Sequence, residues 1–423
     1  MVTLAVIGAG LRGLGYARRA LESGRARVVA VAEPDPHRRQ SLADEHGIPA
    51  ANVFADWRDL LAGDRLADAI IVATQDRMHV EPAVRAAELG YHILLEKPMA
   101  PTEADATAIA EAAQRHGVLL AVCHVMRYTP YTRTLKALID EGRIGQVMNI
   151  QHLEQVGWWH QAHSFVRGNW RNEAESAPML LAKACHDLDW IIHVKGALPE
   201  RISSFGNLVH FRAEQRPAGA ADRCLDCPVE STCPYSAKRI YLDCLGDPFK
   251  EFWPLSAVTH DHTEAGVLTA LREGPYGRCV YASDNDVVDT QVVTMEFADG
   301  TSATCTVTAF AALEHRKTRV FGTHGSIEGD GVTLRLHDFL TDKVSVIDTH
   351  AGADASAATG HGGGDEALLD AFVAAVAHGD PSLVLTSGNE SLATHRVVWA
   401  AERARHTGAV VPLTPPVKGP HHA

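Results

Sequence analysis

The sequence predicts an α/β protein: a doubly wound parallel sheet at the N-terminus, then an α+β domain with an open, mainly antiparallel sheet. Three observations predict it. A short apolar β-prone run, residues 2–7, passes into a helical pattern at Leu11 through Gly8-Ala-Gly10-Leu-Arg-Gly13. Extended and helical segments then alternate to about residue 124, and residues 67–73 and 91–96 are near-continuous apolar runs, as parallel strands buried on both faces should be. Beyond that point, short alternating strands separated by turn signals such as Asp299-Gly300 and Asp330-Gly331 take over.

The glycines come first in the chain. Gly8 permits a tight turn, Gly10 leaves no Cβ between the backbone and a pyrophosphate, and Gly13 lets the helix pack closely on its strand. The helix N-terminus at Leu11 and Arg12 then faces an anion, which makes this a dinucleotide-binding, Rossmann-type loop. The next strand, residues 27–33, ends in Glu33 about 20 residues beyond the glycines, where an acid can accept both ribose hydroxyls of an adenosine. Glu33 favours NAD, because a 2′-phosphate would meet a negative charge. Arg38 and Arg39 would suit that phosphate and keep NADP as the less favoured cofactor.

Helices are expected at 38–46, 56–61, 80–89 and 102–116, and strands at 67–73, 91–96 and 119–123. Ligands of open α/β sheets sit beyond the carboxyl ends of the strands, so the loops starting at Gly8, Glu33, Thr74 and Glu96 should line one crevice. The first domain is read as 1–124 and the second as 125–414. The second holds a helix at 131–141, strands at 146–154, 201–211, 287–297, 301–310, 317–322, 326–329 and 333–336, a cysteine-rich insertion near 212–250, a small-residue stretch at 351–364, and helices at 365–377 and 387–406. The tail, 415–423, is expected to be disordered.

Two domains suit 423 residues, and a 46% hydrophobic share is that of a soluble globular protein. No apolar run approaches the ~20 residues that span a bilayer, and the N-terminus is spent on a strand rather than a signal peptide, so a cytoplasmic protein without membrane contact is expected. With 39 basic against 52 acidic residues, the net charge of -13 repels nucleic acid and anionic membranes.

The glycine loop, Glu33 and the strand-end tripeptide Glu96-Lys97-Pro98 together resemble the glucose-fructose oxidoreductase, inositol dehydrogenase and MocA (Gfo/Idh/MocA) family. Ala73-Thr74-Gln-Asp-Arg-Met-His79, Val122-Cys-His-Val-Met-Arg127 and His186-Asp-Leu-Asp189, in this order, extend the resemblance over nearly the whole chain. The resemblance implies a Rossmann domain, a second domain that often mediates oligomerisation (a homodimer or homotetramer), a nicotinamide cofactor, and hydride transfer at a secondary alcohol of a sugar or cyclitol. It also implies cofactor contacts at Thr74, His79, Glu96, Lys97, Trp170 and Arg171, with Lys97 catalytic and His186 its partner. A lysine desolvated beside an oxidised nicotinamide meets a like charge and can help take a hydroxyl proton.

The second-domain motif departs from the common family form, in which an aspartate lies four residues before the histidine: that position is Ala182, and Lys183 stands next to it. On a helix Lys183 and His186 would share a face, giving His186 as acid/base and Lys183 as a hydroxyl-binding or proton-sharing group; alternatively Lys183 pairs with Asp187. Substrate contacts are expected at Lys97, Arg127, Tyr128, His163, Arg167, Lys183 and His186. The last four lie in or near an aromatic stretch, residues 158–171, in which tryptophan faces would cover sugar C–H faces, although Trp158 and Trp159 equally suit a core.

Eight cysteines without an export signal are not a disulfide framework. Cys224-x2-Cys227-x5-Cys233, with Cys244 or His210 as a fourth ligand, suits a structural zinc, while an iron–sulfur cluster, free thiols or a redox pair stay open. The pairs His160/His163 and His260/His262 show no third ligand nearby in sequence. The sequence therefore predicts an NAD-dependent oxidoreductase acting on a sugar, cyclitol or glycoside. The alternatives are a glycosidase working by transient oxidation, elimination and re-reduction, and a non-catalytic dinucleotide-binding sensor or scaffold.

Overall fold

A computed structural model of the protein, describing residues 1–349 and 361–413, contains two sheets. The first is wholly parallel and has the order β3-β2-β1-β4-β5-β6, with β1 Val2–Ile7, β2 Ala26–Ala32, β3 Val53–Phe54, β4 Ala69–Val72, β5 His92–Leu95 and β6 Leu120–Val122. Strand β4 (Ala-Ile-Ile-Val) is buried at every position, because helices cover both faces of the sheet. The strand order reverses between β1 and β4, and the crevice at such a switch point is where ligands of doubly wound sheets bind.

The second sheet has the order β14-β13-β12-β11-β7-β10-β9-β8-β15. Its strands are β7 Val147–Gln155, β8 Arg201–Asn207, β9 Thr290–Glu296, β10 Ser302–Thr308, β11 Lys317–Gly322, β12 Gly325–Gly329, β13 Thr333–Asp338, β14 Lys343–Asp348 and β15 Val411–Pro412. All pairs are antiparallel except β7 with β10. One face packs on helix Cys185–Lys195 around Trp190, and β9 and β10 alternate buried with partly or fully exposed residues.

Two helices near the C-terminus join the sheets. Helix Gly364–His378 sends Leu368, Leu369 and Phe372 into the N-terminal core, and its Asp365 pairs with Arg12 at 2.5 Å. Helix Gly388–Thr407 begins with a capping box, Ser387 with Glu390, and puts Leu392 in one core and Val397 in another. Its His395 Nε2 accepts from the Met99 N–H at 3.0 Å. The segment before it continues the first sheet, since Val122 N–H donates to Thr386 O.

Between β8 and β9, residues 208–289 form an insertion with helices Ala237–Leu242, Pro248–Phe252 and Glu264–Glu273, longer than the cysteine-rich stretch near 212–250 that the sequence suggests. The expected disorder of 415–423 and most of the small-residue stretch 351–364 lie outside the described residues. Among the described residues no helix is long and apolar enough to cross a membrane.

Burial sets an acid limit on this fold. His163 and His395 are 3% and 0% exposed, and burial pushes both imidazoles down to about 3. Below about pH 6.5 the unfolded chain takes up protons that these native imidazoles refuse, so stability falls with pH by up to ~1.4 kcal/mol per unit per histidine. We expect the urea midpoint to drop steadily from pH 7 to pH 5, a window above carboxylate titration. A flat midpoint would contradict neutral burial.

Candidate active site

The three glycines divide the work as their spacing predicts. Gly8, at φ +91°, sits so close to β4 that a Cβ would lie 2.6 Å from Ala73 O, and a Cβ on Gly13 would lie 1.9 Å from Gly8 O. A Cβ on Gly10 would meet nothing within 4 Å, so this backbone is open to the cleft. Behind it Glu33 accepts the Ala9 N–H at 2.7 Å and the Asp35 N–H at 3.0 Å, which ties the loop to the end of β2. The cleft, about 1090 Å³, is lined here by Gly10, Leu11, Arg12, His37, Arg38 and Thr74. Arg39 turns away and donates to the Glu33 and Pro34 carbonyls.

Strand β5 delivers Glu96 and Lys97 into the same cleft. Glu96 accepts from Arg12 Nε at 2.6 Å, and Lys97 Nζ donates to Ala182 O at 2.7 Å, so a carbonyl holds the lysine at the junction of the two domains. Opposite stand Lys183 and His186. They are not on one continuous helix: helix Met179–Ala182 stops at Lys183, and a new one starts at Cys185. The break aims both side chains into the cleft.

Lys183 pairs with Glu154 at 3.2 Å rather than with Asp187. Glu154 also meets Arg316 at 2.5 Å, and Asp187 accepts from Arg316 at 3.0 Å and from His152 at 2.8 Å. Burial lowers the Lys183 ammonium, Glu154 opposes this, and Arg316 and Lys97 add to it. Burial and Lys97 push the His186 imidazole well down, so it is neutral, and its Nδ1 has no partner. A neutral imidazole and an amine lowered toward neutrality thus face Lys97, the groups needed to pass a hydroxyl proton.

The remaining wall is aromatic. Trp158, Trp159, His160, Phe165 and Trp170 from one segment, with Phe252, Trp253 and Tyr276 from the insertion, line the cleft. Trp170 Nε1 donates to buried Asp76 at 3.2 Å, whose carboxyl is raised chiefly by burial.

Comparison with known proteins gives the same architecture. The NAD-binding Rossmann-fold domain of the Gfo/Idh/MocA oxidoreductase family matches residues 2–124, and its C-terminal alpha/beta domain matches 136–413. The chain belongs to this family. A 2,7-anhydro-N-acetylneuraminate hydratase of Mediterraneibacter gnavus is 33% identical over 50% of this chain, a match spanning only 54% of that relative. An inositol 2-dehydrogenase of Salmonella typhimurium is 30% identical over 34% of this chain and 43% of its own. A levoglucosan dehydrogenase solved with NADH and levoglucosan shares the fold at TM-score 0.72 and 16% identity, covering 98% of this chain and 100% of that one.

In this family member several residues expected at the site lie elsewhere. Arg127 is buried against Asp189, both forks at 2.7 Å, and Tyr128 donates to Thr386 or accepts from it, because the turn at 125–128 packs on helices Gly364–His378 and Cys185–Lys195 and against the segment at Leu385 and Thr386. His79 is fully buried on the Pro98 and Thr74 carbonyls. Arg167 points into the insertion, and Arg171 pairs with Asp284 and Glu175 outside the cleft. His163 reaches the cleft wall but its Nδ1 bonds Tyr241 at 2.9 Å and its ring stacks on Tyr276. Cys244 is not with the other three: it lies in the turn after helix Ala237–Leu242, and its thiol donates to Ile240 O, four residues back. His210 is likewise held by Tyr281. His260 does gain partners, since Asp35 and His37 converge on it at the cleft mouth.

Glu154, Arg316, Asp76, Trp253 and His361 are cleft residues that sequence reasoning missed. Glu154 left a trace: in β7 it falls in phase with buried Ile150 and His152, on the face where a charge is costly without a partner. Arg316 and Trp253 left none.

Proposed function

We propose that the protein is an NAD-dependent oxidoreductase moving hydride between nicotinamide and a secondary alcohol of a sugar, cyclitol or glycoside. The observation that carries this is the meeting of Lys97, Lys183 and His186 in the cleft that the open Gly10 backbone also lines. Gly10, Leu11 and Thr74 would hold the nicotinamide cofactor, which would supply a hydride acceptor for a ring carbon. Lys97, held by Ala182 O, takes up the hydroxyl proton with His186, while Lys183, steadied by Glu154, binds a neighbouring hydroxyl when charged and shares the proton when neutral. Trp158, Trp159 and Trp253 cover the C–H faces of the ring. The inositol and levoglucosan dehydrogenases among the relatives support a cyclic polyol. NAD is preferred over NADP because Glu33 lies at the end of β2, although Arg38 also faces the cleft.

The assay is NADH formation with inositols, aldoses and levoglucosan. At least one secondary alcohol is expected to yield NADH stoichiometrically, with NADP slower. Absence of both turnover and NAD binding would overturn the proposal. One observation favours a second reading: two relatives, 33% and 29% identical, are hydratases of an anhydro sugar. A redox-cycling lyase or glycosidase would release its leaving group with catalytic NAD and no net NADH.

A cytoplasmic setting suits eight unpaired cysteines. Exposed Phe205 lies opposite Val292 on the open face of the second sheet, which supports a homo-oligomer; a single-chain mass of 45.6 kDa by light scattering would exclude it.

A further inference from the structure

The insertion contains a second, smaller cavity of about 90 Å³, lined by Cys224, Cys227, Cys233, Cys279 and Arg167 among others. Cys279 is distant in sequence from the other three. It joins them because Arg223 and Arg278 form an antiparallel bridge, with the Cys279 N–H donating to Asp222 O at 2.8 Å. We propose that Cys224, Cys227, Cys233 and Cys279 hold one structural zinc ion as four thiolates, with Arg167 as the buried counter-charge.

Local geometry prepares these sulfurs as ligands. Cys224 and Cys227 flank one tight turn, closed by the Cys227 N–H on Cys224 O. The N–H of Tyr235 is directed at the Cys233 sulfur and that of Tyr281 at the Cys279 sulfur, each from two residues further on. Such donors favour thiolate over thiol and tune metal–thiolate sites.

Arg167 is the independent observation. It is 1% exposed, and its guanidinium donates to Arg278 O and Tyr235 O at 2.8 Å and approaches the Cys224 sulfur at 3.5 Å, while Nη1 has no partner. No carboxylate is among these partners. A buried guanidinium needs an anion, and neutral thiols do not supply one. On a divalent ion the same four groups are deprotonated outright, and the resulting dianion is what Arg167 offsets.

No three of the four sulfurs lie within 4.8 Å of one another, so binding requires the thiols to turn inward about an ion ~2.3 Å from each. A single closed ion with four thiolates is structural rather than catalytic, and zinc is the usual occupant. The site bears on the cleft because residues 158–167 present Trp158, Trp159 and His163 to the cleft and Arg167 to the thiols.

The test is elemental analysis of the full chain, purified without chelator from medium containing both zinc and iron. We expect about one zinc per chain, retained in Cys244→Ser and lost in Cys279→Ser. In case Cys279→Ser does not fold, the wild-type protein is titrated with a mercurial in the presence of a chromophoric chelator, and zinc release should follow the modification of four thiols. Iron in place of zinc, a metal content near zero, release independent of thiols, or retention in Cys279→Ser with loss in Cys244→Ser would each overturn the proposal.

Discussion

Replacing Lys97 by methionine is expected to lower kcat by about 10²–10⁴-fold, the range for removing a positioned general acid or base. NAD affinity should change little, because Gly10, Leu11 and Glu33 are untouched. Lys97 is singled out by its surroundings: it follows the carboxyl end of β5, next to the strand at the sheet's switch point, and Ala182 O fixes its ammonium from the opposite domain. If Lys97, Lys183 and His186 act as a unit, Lys97→Met combined with His186→Ala should be hardly worse than either alone. The pH profile carries a second signature. Lys183 works as a proton acceptor only when neutral, so kcat/KM should rise with pH along a limb below the usual lysine range, as burial dictates, and Lys183→Met should remove that limb. Turnover by Lys97→Met within threefold of the wild type would refute the mechanism.

The second large effect is on stability. Asp189→Ala is expected to cost about 3–5 kcal/mol, because it strands the Arg127 guanidinium in the interior. Arg127 presents two nitrogens to Asp189 at 2.7 Å and a third to Leu385 O at 2.7 Å, and Thr394 donates to the same carboxylate. Burial pushes the Asp189 carboxyl up, but His124 and Arg127 outweigh it and hold it at about 2. Its contribution is therefore present at neutral pH and lost only as pH falls through about 2. Denaturant unfolding of Asp189→Ala at pH 7 should show the loss, with kcat of the folded enzyme nearly unchanged. A variant of normal stability but a tenfold higher KM would return Arg127 to the substrate site.

Arg127 and Lys97 show how far a sequence reaches. Both stand in motifs that mark this family, and a motif reports that a residue type is required at a position without saying for what. Lys97 was legible because a strand end in a parallel sheet has a known destination. Arg127 was not, because its partners, Asp189 and Leu385, come from distant parts of the chain. The helix expected across Lys183 and His186 failed for a similar reason: the break at Lys183 is set by where Glu154 and Lys97 hold it, not by local propensity.

By itself the sequence determined the parallel sheet, the glycine loop and the lysine beside it, because these follow from local periodicity, from glycine sterics and from the polarity of strand ends. Only the tertiary structure decided which charges meet: Lys183 with Glu154, Arg127 with Asp189, and Cys279, not Cys244, with the other thiols. Buried charges and thiols are satisfied by whichever partner the packing of distant segments supplies, and that pairing is a property of the folded core, with no period to betray it in the chain.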